Sequence, residues 1–274
     1  MKHILSFAVL AFFCATQVSF SNEFRICGWK VDPTDGEAEK SVSHHPILFG
    51  LDEVPFASYF EWFDAGPRAS ERLNHCGGAL INGDWVLTAR HCLDGKSWTS
   101  MGVSIPQMEH VTQADLAICP PQGGGFPADD VALLRLESPV ERQFEVPQLT
   151  EVEVFPKGAI LGSWPIRRGV PNVSFQMSPI NILSLTQKPM FVGEMVDKTE
   201  RVPCGGESGS MMVSTDGSEI FGVLTAISAS TGGRPDCNNP ETEIYVTPLA
   251  EWSDWIKNVV TTCGDTPSVC SRPE

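Results

Sequence analysis

The amino-acid sequence predicts an all-β protein built from antiparallel sheets closed into barrels, with a single α-helix near its C-terminal end. Three observations predict this class. From residue 55 onward, short runs rich in β-branched and aromatic residues alternate with Gly, Pro, Asn and Asp turns. Helical spacing of apolar residues is convincing only in the last such segment. No internal repeat or low-complexity linker divides the 274 residues, a length sufficient for a large core.

The expected strands, in order, are 56–63, 77–81, 85–89, 131–136, 151–155, 159–164, 172–178, 211–214, 219–227 and 243–247. The helix is expected to follow directly. Thr247 suits the cap, Pro248 the first helical position, and Leu249, Trp252, Trp255/Ile256 and Val259 recur at helical spacing. Its aromatic stripe reads as core packing.

The chain begins with an export-signal pattern over residues 1–21: Lys2, an apolar run from Ile4 to Ala15, and the small residues of Ser19-Phe20-Ser21. The run is too short to span a bilayer, and no later stretch reaches the ~18 apolar residues a membrane helix needs. A secreted, extracellular protein is the expectation. Residues 22–46 read as an irregular pro-segment or N-terminal extension, because DPTDGEAE (Asp32 to Glu39) is acidic and turn-rich. Removing the signal removes Cys14 and leaves eight of the nine cysteines, which in a secreted chain implies about four disulfides. Paired Cys-x-x-Cys knuckles are missing, so no metal is expected. The net charge of −15 argues against nucleic acid and against an anionic membrane as partner. Asn172-Val173-Ser174 is a glycosylation sequon.

The chemistry concentrates in CGGESGS, Cys204 to Ser210. Flanking glycines allow a tight turn that exposes the Ser208 hydroxyl and brings backbone N–H groups close to a substrate. A serine hydroxyl is a poor nucleophile unless a base takes its proton and donors hold the developing oxyanion. All six histidines (His3, His44, His45, His75, His91 and His110) precede Ser208. That excludes the Ser–acid–His order of α/β-hydrolases and leaves a His–Asp–Ser order open. His91 stands in WVLTARHC (Trp85 to Cys92), after a strand-like stretch; Asp130 stands in DDVALLRL (Asp129 to Leu136), just before one.

Together these segments resemble the chymotrypsin-like serine proteases. CGGALINGDWVLTARHC (Cys76 to Cys92) is similar to that family's His segment, DVALL from Asp130 to its Asp segment, and CGGESGS to its Ser segment. Val54-Pro55-Phe56, Ser163-Trp164 and EIYVTP (Glu243 to Pro248) add to the likeness, which covers about residues 47–260. The resemblance implies two six-stranded Greek-key barrels forming a peptidase domain over 47–262, with 263–274 as a C-terminal tail. It implies a secreted serine endopeptidase, without cofactor, acting on protein or peptide substrates. The chain would be monomeric, and an activating protease or a protein inhibitor would be its further partners. Ser208 would be the nucleophile, His91 the general base and Asp130 the orienting acid. Gly206 and Ser208 N–H would form the oxyanion hole, and Thr225 would support Asp130. Val202, Ile227 and Glu243 would shape the specificity pocket. Cys76–Cys92 and Cys204–Cys237 would be disulfides. The pairing of Cys27, Cys119, Cys263 and Cys270 stays open, Cys263–Cys270 being short enough to close locally with Cys27–Cys119 as the remainder.

The chain also departs from the family's pattern. Glu207 replaces the aspartate whose carboxylate normally meets a new N-terminal ammonium. Ile26, after Arg25, and Ile47, after Pro46, are rival positions for such a start. Ser210 and Ala226 are further departures, and Met190 to Gly193 carry no cysteine where the family has one. These features motivate the alternative of a catalytically weak homologue acting as a binding or regulatory protein.

Overall fold

The computed structural model describes residues 24–32, 56–65, 73–105, 112–121, 126–141, 147–150, 158–164, 166–167, 170–171, 175–185, 190–229 and 236–271. The export-signal pattern, Ile47, the expected strand at 151–155 and the sequon at Asn172 lie outside them.

The first barrel is assembled from β1 (Arg25–Lys30), β2 (Ala57–Asp64), β3 (Asn74–Leu80), β4 (Trp85–Thr88), β5 (Lys96–Ser104), β6 (Thr112–Cys119) and β7 (Ala132–Leu136). Its order is β1-β5-β2-β3-β4-β7-β6, closed by the β6–β1 pairing, with an additional β5–β6 pairing. Closure removes exposed edges and buries one face of every strand. Phe60, Leu80, Leu87, Trp98, Met101 and Leu133 fill the interior.

Two expectations change here. The barrel has seven strands rather than six, and the seventh comes from the segment read as irregular. β1 wedges between β5, to which it runs parallel, and β6, to which it runs antiparallel. Cys27 is bonded to Cys119 of β6, which ties the strand down. A side chain at Gly28 would meet the Leu93 carbonyl at 2.8 Å and the Trp98 ring at 2.9 Å, so only glycine lets the strand sit this close. The apolar content of RICGWK is too sparse to signal a strand on its own; pairing on both sides makes it one. β5 and β6 are likewise absent from the expected list. Ser97, Thr99, Ser100, Ser104, Gln113 and Asp115 occupy half-buried positions, while Trp98, Met101, Ala114 and Leu116 are buried.

The second sheet contains β8 (Gln148–Leu149), β9 (Ala159–Ser163), β12 (Gln176–Leu185), β13 (Phe191–Met195), β14 (Met211–Val213), β15 (Glu219–Ala229) and β16 (Thr242–Pro248). β14-β9-β12-β13-β16-β15 closes through a β14–β15 pairing into the second barrel, with β8 added on β15. A hairpin of β10 (Ile166–Arg167) and β11 (Val170–Pro171) stands apart. Leu161, Ile180, Met195, Met212, Leu224 and Ile244 form this barrel's own core cluster.

The helix starts later than expected. Thr247 and Pro248 end β16, and α1 spans Ser253–Asp265 with Trp252 at its cap. Pro248 sits at the end of its strand, where a missing N–H is tolerated. Ile256, Val259 and Cys263 form the buried face of α1, and Trp252 meets Trp255 edge-on. Residues 263–265 continue the helix. Cys263 is joined to Cys270 at the end of a short helical turn, Pro267–Cys270.

Candidate active site

Antiparallel pairing of β4 with β7 brings His91 and Asp130 together. Thr88, the last residue of β4, lies opposite Ala132, the first of β7. The chain leaving β4 and the chain entering β7 therefore meet at one end of the sheet. A turn over Arg90–Cys92 then presents the imidazole. Asp130 is 2% exposed, and both its oxygens are used by one residue. The His91 backbone N–H donates to Oδ1 across 2.7 Å, and His91 Nδ1 lies 2.7 Å from Oδ2. Two hydrogen bonds to a buried carboxylate fix the ring plane, favour the proton on Nδ1 and leave Nε2 as acceptor. Phe126 packs edge-on against the imidazole.

The glycine turn Cys204 to Ser210 lies just before β14 in the second barrel. Its Gly209 has φ +85°, and a side chain there would meet the Gly77 carbonyl and Thr88 Oγ1 at 2.2 Å. Contact this close between backbones needs glycine on both counts. Gly77 N–H donates to the Ser208 carbonyl at 2.8 Å, and Thr88 Oγ1 donates to the Gly77 carbonyl at 2.8 Å. Strands β3 and β4 of the first barrel thereby fix the turn of the second. Along the turn, Glu207 N–H is taken by Cys204 O and Gly209 N–H by Leu224 O. The alternate N–H groups, of Gly206 and Ser208, donate to no acceptor among the described residues. Such a pair is what an oxyanion requires.

His91 and Ser208 line one cleft of about 310 Å³, which passes between the barrels. Trp62, Asn74, His75, Lys96 and the Cys76–Cys92 disulfide complete its walls with Gly205 and Gly206. Ser208 Oγ has no hydrogen bond to His91 among the described residues. Nucleophile–base contacts commonly tighten only in the substrate complex.

Other expected site residues are placed differently. Thr225 Oγ1 lies 2.7 Å from Thr247 Oγ1 and 3.3 Å from the Val223 carbonyl, so its hydroxyl bridges β15 and β16 instead of supporting Asp130. Val202 is fully buried in the second barrel's core cluster, away from the cleft. Ile227 is paired with Ile244 across β15 and β16. Glu243 accepts the Tyr245 hydroxyl at 2.7 Å on the half-buried face of β16. That hydrogen bond, with burial, raises the phenol's pKa. None of the three pocket residues is among the described lining of the cleft. Cys204, the first residue of the glycine turn, is bonded to Cys237.

Glu207 has a partner that sequence reasoning missed. Its carboxylate is buried behind the turn, 0% exposed, and is met by the guanidinium of Arg201. Arg201 Nη1 donates to Oε1 across 2.7 Å, and Nη2 donates to the same oxygen. Cys204 N–H adds a third bond to Oε1 at 3.0 Å, and Ser163 Oγ donates to Oε2 at 2.9 Å. The sequence signal was a cation six residues upstream of Glu207, but the expected partner was an N-terminal ammonium.

Two β-barrels with this cleft between them define a chymotrypsin-like serine protease fold. The trypsin family model matches residues 65–256, and the chain belongs to that family. At that level it is a serine endopeptidase. Among relatives, snake venom serine protease KN8 of Trimeresurus stejnegeri is 25% identical over 226 residues, covering 71% of this chain and 80% of the relative. Snake venom serine proteinase 14 of Crotalus adamanteus is 28% identical over 217 residues, with the same coverage. The solved structure of HL collagenase aligns with a TM-score of 0.60 at 20% identity, over 76% of this chain and 94% of that one. Kallikrein-related peptidase 10 aligns with a TM-score of 0.57 at 20% identity, over 77% and 97%. These two likenesses concern the fold.

Proposed function

We propose that the chain hydrolyses peptide bonds through an acyl-enzyme on Ser208. The observation that carries this reading is the cleft shared by Ser208 and His91, with Asp130 buried on the far side of the imidazole. His91 Nε2 takes the Ser208 proton as Oγ attacks the scissile carbonyl, then returns it to the leaving amine. Asp130 stabilises the imidazolium so formed. Gly206 and Ser208 N–H receive the oxyanion, each donor contributing about 3–4 kcal/mol to the transition state. Water then repeats the sequence on the ester and frees Ser208.

The four disulfides and the export-signal pattern support action outside the cell, where thiols stay oxidised. Protein or peptide substrates fit a cleft open between two barrels.

The test is labelling by a fluorophosphonate probe with the modified residue mapped, alongside turnover of a peptide library. Labelling at Ser208 and cleavage that vanishes in Ser208→Ala are expected. Cleavage that survives Ser208→Ala would overturn the assignment.

A further inference from the structure

We infer that Arg201 is a built-in counter-ion for Glu207, which sets the nucleophile turn without a freed N-terminal amine. The inference rests on the reading of Ser208 as nucleophile.

Glu207 immediately precedes Ser208, and its N–H is held by Cys204 O. Wherever its carboxylate is anchored, the peptide planes on either side are anchored too: the following one carries the Ser208 N–H, and the preceding one joins Glu207 to Gly206, whose own N–H lies one plane further back. An ionised carboxylate with no exposed surface is stable only when its charge is matched and its lone pairs are filled. Arg201 supplies the matching charge on the same loop, while Ser163 and the Cys204 N–H supply further donors. The Arg201 side chain is 19% exposed, and its guanidinium gives a further bond, at 3.2 Å, to the Val202 carbonyl. Glutamate suits this arrangement better than aspartate would, since one more methylene extends its reach towards a side-chain cation.

Of the two N-terminal starts that the sequence offered, Ile47 lies outside the described residues and Ile26 is occupied elsewhere. Ile26 lies inside β1 opposite Ile118, its neighbour Cys27 is bonded to Cys119, and Arg25 is paired with Asp94 at 2.6 Å. All of these contacts belong to the first barrel. Cleavage after Arg25 would leave Ile26 held in that sheet rather than delivered to Glu207. Arg201 is therefore a positioning residue: it touches no substrate and acts through Glu207 on the oxyanion donors and on Ser208.

The chemistry of the two cations makes the idea testable. An α-amine loses its charge near pH 8, whereas a guanidinium stays charged beyond about pH 12. Chain produced with Arg25→Gln and with only its N-terminal α-amine acetylated is expected to react with a fluorophosphonate at Ser208 as fast as wild type. Its labelling rate should stay level up to about pH 10. Arg201→Gln is expected to slow labelling by about 10²-fold or more, as loss of an oxyanion donor does. Arg201→Lys or added methylguanidinium should restore at least part of that loss. Labelling that appears in wild type only after limited proteolysis, or that acetylation abolishes, would overturn the inference and leave the protease reading intact. Wild type unlabelled both before and after proteolysis would overturn both. If Arg201→Gln does not fold, the wild-type amine-blocking and pH arms decide alone.

Discussion

Gly77 and Ser208 form the joint between the two barrels: the amide of the first donates to the carbonyl of the second across 2.8 Å. His91 and Asp130 belong to one barrel and Ser208 to the other, so the geometry of the site depends on this seam.

Gly209 makes the seam possible. Gly209→Ala introduces a methyl group 2.2 Å from Gly77 O and Thr88 Oγ1 at a backbone φ of +85°. A loss of about 2–5 kcal/mol is expected, from left-handed strain and overpacking together. Labelling of Ser208 should fall with it. Gly205→Ala, where a new Cβ meets nothing within 4 Å, should change stability by less than about 0.5 kcal/mol. Thermal melts of the two variants make the comparison.

Asp130→Asn should leave the fold in place and lower kcat by about 10⁴-fold, because an amide no longer enforces the useful tautomer or stabilises the imidazolium. Steady-state kinetics with a circular dichroism control measure both. A loss below tenfold would remove Asp130 from the proposed mechanism.

Thr225→Val tests the reassignment of that hydroxyl. If Thr225 serves Thr247, as the 2.7 Å contact indicates, the variant should lose about 1 kcal/mol of stability and label at the wild-type rate. A change in the pH profile of labelling would return Thr225 to the triad.

Acid stability should depend on Asp94. Burial raises the Asp94 carboxyl, but hydrogen bonds and charge from Arg25 and Arg90 more than offset this, so its pKa lies below the ordinary 3.8. A carboxylate lowered in the folded state gives its full stabilisation above that ordinary value and loses it as pH falls through the folded one. The Tm of wild type should therefore drop below about pH 4. In Asp94→Asn the drop should be smaller, with a lower plateau near neutrality. Equal acid slopes in the two proteins would refute the assignment.

The sequence alone determined the features that local pattern can carry. Alternating runs such as ALLRL and EIFGVL specify strands because one face of each is apolar. His91, Asp130 and Ser208 each stand at the end of such a run or in a glycine turn, where a side chain is free to act. Even so, it read β5 and β6 poorly, since their polar residues dilute the alternation.

Tertiary structure decided which groups meet when no local rule pairs them. RICGWK becomes a strand only between β5 and β6, with Cys27 bonded to Cys119. The Thr225 hydroxyl turns to Thr247 because β15 and β16 are neighbours. Glu207 meets Arg201 because the loop before Ser208 folds the guanidinium back under the turn. A buried charge must find its counter-charge somewhere, and composition offers many. Chain closure selects one, and here it selects Arg201.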